Sequence, residues 1–389
     1  MQRIIAIVGA GIGGLSTALA LARLGCVVDV FEQSPQLREF GAGIQLSPNA
    51  TGILDNLGLT DALAKHWHEP DGLALISGDS LRTLTRLPLG STARNRWHSP
   101  YAVIHRPDLL TALSKAIDTH ADCRVFFGTS VPVASEEETL DALQDISGNR
   151  PDLIIFADGV WSRKRDSLPG SSPAAFTGHV AWRATSNETE LSRLLPQGYI
   201  GSFLGPACHL VCYPLGNREA VNLVATTPGK PLKNQWDQAG DVKQLLRHFR
   251  SWNPQIVDAL GRASWRAWPL FEARNTAWQD GSKTVLIGDA AHAMSPHAAQ
   301  GAAMAIEDAV ELAHCFRHEG GDAAAAISSY IAKRQPRVLR VRKRGDLNRF
   351  AYHARGPIRI ARDLTFRALG EQRLAADLDW LYGYRAGKG

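Results

Sequence analysis

The sequence has little cysteine, little charge of one sign and no long unbroken apolar run. Its five cysteines, Cys26, Cys123, Cys208, Cys212 and Cys315, are scattered over 389 residues. An odd, scattered set in a long chain excludes a disulfide framework and reads as reduced and intracellular. Cys208 and Cys212 form C-x3-C without a second pair, too little for a zinc site. The opening MQRIIAIVGAGIGGLSTALALARLG is cut by glycines and has no small-residue cleavage site after a basic start. It is read as neither a signal peptide nor a membrane span, and no other run of about twenty apolar residues occurs. The net charge is only +5, with no aromatic-interleaved basic stripe, so a nucleic-acid partner has no support. A soluble, cytoplasmic protein without membrane or nucleic-acid partners is expected, and 44% hydrophobic residues suffice for a large core.

What is present is glycine in a pattern. RIIAIV at 3–8 reads as a short strand, followed by Gly9-Ala10-Gly11-Ile12-Gly13-Gly14, which is G-x-G-x-x-G. LSTALALARL at 15–24 reads as a helix ended by Gly25, and VVDVF at 27–31 as a second strand with Glu32 at its end. Glycines between strand and helix, with an acid about twenty residues on, are what dinucleotide binding requires. Gly9 permits a tight turn, Gly11 lets backbone approach a pyrophosphate, and Gly14 lets helix and strand pack closely. The helix N-terminus offers free N–H groups and a positive dipole end. Glu32 is suited to accept both ribose hydroxyls, which a mere packing turn leaves unexplained. The motif alone does not separate FAD from NAD. GAGI at 41–44 adds two glycines in a following loop and favours the larger ligand.

Two later apolar runs also end in glycine and an acid. LIIFA at 153–157 leads into Asp158-Gly159, which taken alone reads as a turn. TVLI at 284–287 leads into GDAAHAMSPHAAQG, and AAMAIEDAVELAHCF at 302–316 has helical spacing. An acid at the carboxyl end of a parallel strand, here Asp289, points to a ligand crevice.

In order, GAGIGG with its following Glu32, DGVWSR and GDAAHAMSPHAAQGAAMAIEDA resemble the motifs of the single-component FAD-dependent aromatic hydroxylases, the flavoprotein monooxygenases. HRPDLL at 105–110, HVAWRA at 179–184, HLVCYPL at 209–215 and DWLYGYR at 379–385 resemble the salicylate hydroxylase and 6-hydroxynicotinate 3-monooxygenase branch. The resemblance spans nearly the whole chain. It implies tightly bound FAD, its ADP half on Gly9, Gly11, Gly14 and Glu32, with Arg106 contacting it from the following helix. It implies Asp158 beside FAD and the nicotinamide, Asp289 on the ribityl and pyrophosphate region, and Gly301 and Ala302 opening a helix toward an electron-rich flavin. NADH or NADPH would be a transient reductant. O2 would give a flavin C4a-hydroperoxide that oxygenates a small phenolic or hydroxy-heteroaromatic acid, with or without decarboxylation.

Candidate substrate residues follow. Pro296 and His297 fall on the flavin loop, where His297 either bonds or deprotonates substrate, or is an exposed loop histidine. His292 reads as a structural partner; His292 and His297 lie five apart with no third metal ligand, so no metal is expected. His209 and Tyr213, four apart on a strand, share one face that looks either into a substrate cavity or onto covering helices. Arg183 reads as a carboxylate clamp or an outer-face arginine. Gln45 follows GAGI and is placed near the ring or the substrate. RQPRVLRVRKR at 334–344 reads as a solvated helix face, or weakly as a nicotinamide docking run.

The expected architecture is α/β. A discontinuous Rossmann-like FAD-binding domain takes 1–70, 100–180 and 275–345. A mostly antiparallel substrate domain takes 71–99 and 181–274, and a helical tail 346–389. The chain is expected to be a monomer or homodimer. Two rivals stand beside the monooxygenase: a flavin oxidase or reductase on the same fold, and a non-catalytic flavin sensor.

Overall fold

The computed structural model describes residues 2–37, 43–186, 191, 193–215, 220–231 and 238–387. Gly41 and Ala42 of the GAGI stretch lie outside them.

One sheet holds six strands in the order Gln279–Asp280, Thr284–Leu286, Leu153–Phe156, Ile4–Val8, Val27–Glu32 and Cys123–Phe127. All neighbours are parallel except the first pair. Leu153–Phe156 is buried at every position, the uninterrupted apolar run expected where helices cover both faces. The helix Ile12–Ala22 is apolar almost all round and packs between Gly301–His318 and Arg106–Ile117.

The second sheet has eight strands, in the order Gln238–Ala239, Arg266–Glu272, Ala175–Ser186, Val221–Pro228, Cys208–Pro214, Tyr199–Gly205, Gly72–Ser77 and Thr83–Pro88. It is antiparallel except where Tyr199–Gly205 meets Gly72–Ser77. Alternation assigns its faces. Cys208, Leu210 and Cys212 join a core with Phe249, Trp252 and Leu260, against the helices Val242–Phe249 and Pro254–Arg262. Val211 and Tyr213 pack instead into the core of the FAD half. The face bearing His209 and Tyr213 therefore looks away from the covering helices.

Two expected domain edges fall inside elements. Strand Ala175–Ser186 is paired from Ala175 onward with Arg266–Glu272, so an edge at 180/181 cuts a hydrogen-bonded strand. Helix Ala323–Tyr352 runs through 345/346, tolerating Pro336 in its interior. The run at 334–344 is not a solvated face either. Arg334, Arg337 and Arg342 are buried, because their partners are acids and carbonyls of neighbouring elements. Among the described residues no helix is long and apolar enough to cross a membrane.

Candidate active site

The glycine turn after Ile4–Val8 shows three different constraints. Gly9 has φ of +106°, and a Cβ there would stand 2.5 Å from the Ala157 carbonyl oxygen. A Cβ at Gly14 would stand 1.9 Å from the Gly9 oxygen, so helix and turn touch through backbone. A Cβ on Gly11 would meet nothing within 4 Å. Its bareness serves no packing; it leaves open the space in front of the helix N-terminus, where a pyrophosphate fits. Glu32 closes the turn by accepting from the Ala10 N–H at 2.9 Å and the Ser34 N–H at 2.8 Å. Each carboxylate oxygen keeps a lone pair for a ribose hydroxyl.

Asp158 lies directly against this turn, and Arg106 and Asp289 interact with one another. Burial raises the Asp158 carboxyl to about 6, against hydrogen bonding from Ser162, and its Oδ1 is buried without a partner. Arg106 begins its helix with Pro107 behind it, a first-turn position that suits proline. Burial lowers its pKa, opposed by Asp289; burial likewise raises Asp289, opposed by His292 and then Arg106. Both side chains nonetheless retain accessible surface, because they face the cleft and not the core. An orphaned carboxylate oxygen, an open backbone cradle and a cation facing an acid suit the phosphates and sugar chain of FAD.

The loop at Asp289 is underlain by a buried charge network. Asp308 accepts from the Gly288 N–H at 2.8 Å, lies 2.6 Å from His292 Nε2 and pairs with Arg334 at 2.7 Å. Its carboxyl is held well below its ordinary value: its own burial opposes this, but His292 and Arg334 outweigh it. Glu307 pairs with Arg334 at 2.6 Å and Arg337 at 2.8 Å and accepts from Asn49 at 2.7 Å. Asn49 and Ser47 bond to Gln300, the residue before the helix Gly301–His318. The turn Pro296–Ala298 is thus fixed from below, and Ala299 leaves it at φ 51°. A left-handed alanine costs about 1–2 kcal/mol, which the network offsets.

Above this turn lies a cavity of about 160 Å³. Apolar cavities of about 150 Å³ hold a benzene ring. Leu73, Leu75, Leu87, Val211 and Phe366 supply apolar wall, and Gln45, Tyr101, His209 and His297 supply polar atoms. Tyr101 donates to Gln45 Oε1 at 2.6 Å, which fixes the amide. Ser295 Oγ and His297 Nδ1 are hydrogen-bonded, and Asn348 donates to the His297 carbonyl at 3.0 Å. His297 Nε2 is left buried without a partner. Burial pushes the His297 imidazole down to about 3, aided by His179 and Arg349, so it is neutral at pH 7.

The structure therefore brings His297, Pro296, His209 and Gln45 to one cavity. It does not bring Tyr213 or Arg183 to that wall. The Tyr213 ring stands over Gly43, where a Cβ would lie 2.7 Å from its Cε2. Arg183 stacks 5.3 Å over Trp268, with Arg106 and Tyr213 as its charged and phenolic neighbours and its Nε unpartnered. Its strand carries it past the cavity, toward Arg106. Gly301 begins its helix exposed, with nothing within 4 Å of a Cβ, and Ala302 follows half-buried. Sequence reasoning missed Tyr101, Asn348, Tyr352 and His353. The last lies 2.9 Å from His209, and none sits in a local motif.

The FAD binding domain family matches residues 3–344. A 3-hydroxybenzoate 6-hydroxylase from Klebsiella oxytoca is 34% identical, the alignment covering 97% of this chain and 96% of the relative. A 6-hydroxynicotinate 3-monooxygenase from Bordetella bronchiseptica is 31% identical, over 98% and 94%. The solved substrate complex of a salicylate hydroxylase shares the fold, with a TM-score of 0.80 at 21% identity, over 99% and 96% of the two chains. The chain belongs to this family of FAD-dependent aromatic hydroxylases.

Proposed function

We propose that the chain hydroxylates a small phenolic or hydroxy-heteroaromatic acid, using FAD, O2 and NADH or NADPH. The observation that carries this reading is the ring-sized cavity above the Pro296–Ala298 turn, walled by leucines, Val211 and Phe366, with His209, His297 and the Gln45–Tyr101 pair among its polar groups and Arg344 as a cation on its lining. FAD, held by the glycine turn and Glu32, would when reduced activate O2 for transfer of one oxygen atom. The protein's own residues bind, orient and exclude water.

His297 offers Nε2 to the ring hydroxyl, because Ser295 occupies Nδ1 and sets the ring plane. As a neutral imidazole it accepts a hydrogen bond from that hydroxyl, which leaves the ring more electron-rich where oxygen must add. His209 faces the same space from the sheet. Gln45 orients the ring through its fixed amide. Arg183 lies beside Arg106, and these two positive charges favour the anionic parts of the cofactor. A row of exposed apolar side chains, Leu339, Leu347, Phe350, Ile360 and Leu364, supports the homodimer over the monomer.

The test is to mix FAD-loaded protein with NADH or NADPH in air, add a panel of aromatic acids, and weigh the products. Stimulated oxidation with one added oxygen atom is expected for at least one acid. Stimulation releasing only peroxide, or slow oxidation unaffected by every acid, moves the function to an oxidase or reductase. A protein that binds no FAD overturns the reading altogether.

A further inference from the structure

Three histidines from distant parts of the chain meet beside the cavity. His209 comes from strand Cys208–Pro214, His297 from the turn Pro296–Ala298, and His353 from the end of helix Ala323–Tyr352. One nitrogen from each lies within 4.8 Å of the other two. His209 is 5% and His297 6% exposed, and His297 Nε2 is a buried nitrogen with no partner. His209 Nδ1 and His353 Nε2 lie 2.9 Å apart, so one donates its proton to the lone pair of the other. His179 closes the cluster, with its ring centroid 5.3 Å from that of His353. Among the described residues no carboxylate hydrogen-bonds to any of these four rings, which sets them apart from His292 on Asp308.

We propose that His209, His297 and His353 form a binding site for a borderline divalent transition-metal ion of the Zn2+ class. The ligand chemistry is right, since neutral imidazole is the usual nitrogen ligand for such ions. Burial keeps His209, His297 and His353 below their ordinary pKa, so lone pairs are present at neutral pH. His297 already has the arrangement of a metal ligand: Nδ1 is held by Ser295 and Nε2 is free. Tetrahedral geometry with bonds of about 2.0–2.1 Å sets nitrogens about 3.4 Å apart. The His209–His353 pair opens slightly to reach this, and His297 closes by at most about 1.4 Å, a ring rotation at the end of a helix and on a short turn. The ion replaces the proton shared by His209 and His353 after a tautomer shift in one ring. The fourth position faces the cavity, because His209 and His297 both line it. Water fills that position, and the ion stands where part of an aromatic ligand would lie. Metal occupancy thus blocks the cavity. The spacing of His292 and His297 gave no sign of this, because the other ligands lie 88 residues before and 56 residues after His297.

The binding claim does not rest on the hydroxylation reading. It is tested on the FAD-loaded protein by titrating Co2+ and following its visible d–d bands, then displacing it with Zn2+. One ion per chain with a tetrahedral spectrum is expected. His353→Ala and His209→Ala should each weaken binding at least about tenfold. The half-buried His314 and the exposed His318, stacked one helical turn apart, are the rival site, and His318→Ala should leave the spectrum unchanged. His353→Gln, which keeps a polar group next to His209, guards against loss of fold, read by circular dichroism. No tetrahedral band, or a band lost in His318→Ala and kept in His353→Ala, overturns the proposal. Loss of acid-stimulated NADH oxidation at the same midpoint is the second readout. If no acid stimulates turnover at all, that failure falls on the proposed function, and the Co2+ spectrum still decides the metal site.

Discussion

The floor and the roof of the ligand space treat buried polar groups in opposite ways. Below the flavin loop, Glu307, Asp308, Arg334 and Arg337 are sunk from water but fully paired with one another. Around the cleft and cavity, Asp158 Oδ1, Arg183 Nε and His297 Nε2 are sunk and unpaired. An unpaired buried group costs about 1–3 kcal/mol, more when charged, so it persists where a ligand completes it. Pairing marks these four scaffold residues, although His292 Nδ1, Tyr330 Oη and Arg342 Nε beside them are also buried without partners.

The strongest way to break this contrast is to make the scaffold behave like the site. Arg334→Met removes the cation shared by two buried carboxylates, and urea unfolding should show a loss of about 3–5 kcal/mol. A loss below about 1 kcal/mol would mean that the network is not structural. Asp158→Asn works in the opposite direction. The folded chain holds this carboxyl at about 6, above the unfolded value near 4. The folded state therefore binds more protons in that window, and stability falls as pH rises from about 4 to 6. Stripped of FAD, the Asp158→Asn variant should be more stable at pH 7 by at most about 3 kcal/mol, with a flatter profile. An unchanged pH profile would place Asp158 at its ordinary pKa.

The glycines divide along the same line. Gly14→Ala drives a methyl into the Gly9 carbonyl and should cost the FAD-free chain about 1–3 kcal/mol. Gly11→Ala should leave that chain as stable as before and still weaken FAD binding, read by flavin fluorescence. Equal losses of fold in both would end the assignment of Gly11 to the ligand. His297→Ala should disturb stability least. FAD should remain bound while acid-stimulated hydroxylation falls about 10²-fold. An unchanged rate and coupling would remove His297 from the chemistry.

What could be read in advance follows locality. Gly9, Glu32 and Asp289 lie at or just after the ends of strands, and Gly11 and Gly14 in the turn and helix that follow, where a few adjacent residues fix the backbone. The parallel sheet and the mostly antiparallel partner sheet were legible from the same runs. Arg334 and Arg337 were misread, because a charged helix face looks the same whether water or Glu307 and Asp308 lie opposite. Tyr213 and Arg183 follow the right alternation, but periodicity gives the face of a strand and not how far along it a cavity extends. His353 carries no local signal at all; only the register of a long helix brings it to His209.

That helix, Ala323–Tyr352, has a consequence for anyone who recombines such enzymes. Over 30 residues, about 45 Å, it anchors the flavin loop through Arg334 and Arg337 and reaches the cavity through Asn348 and Tyr352. Inserting or deleting one residue between Arg337 and Asn348 would turn one end against the other by about 100°. The segment is a rigid ruler, and crossover points for chimeras belong before Arg334 or after His353.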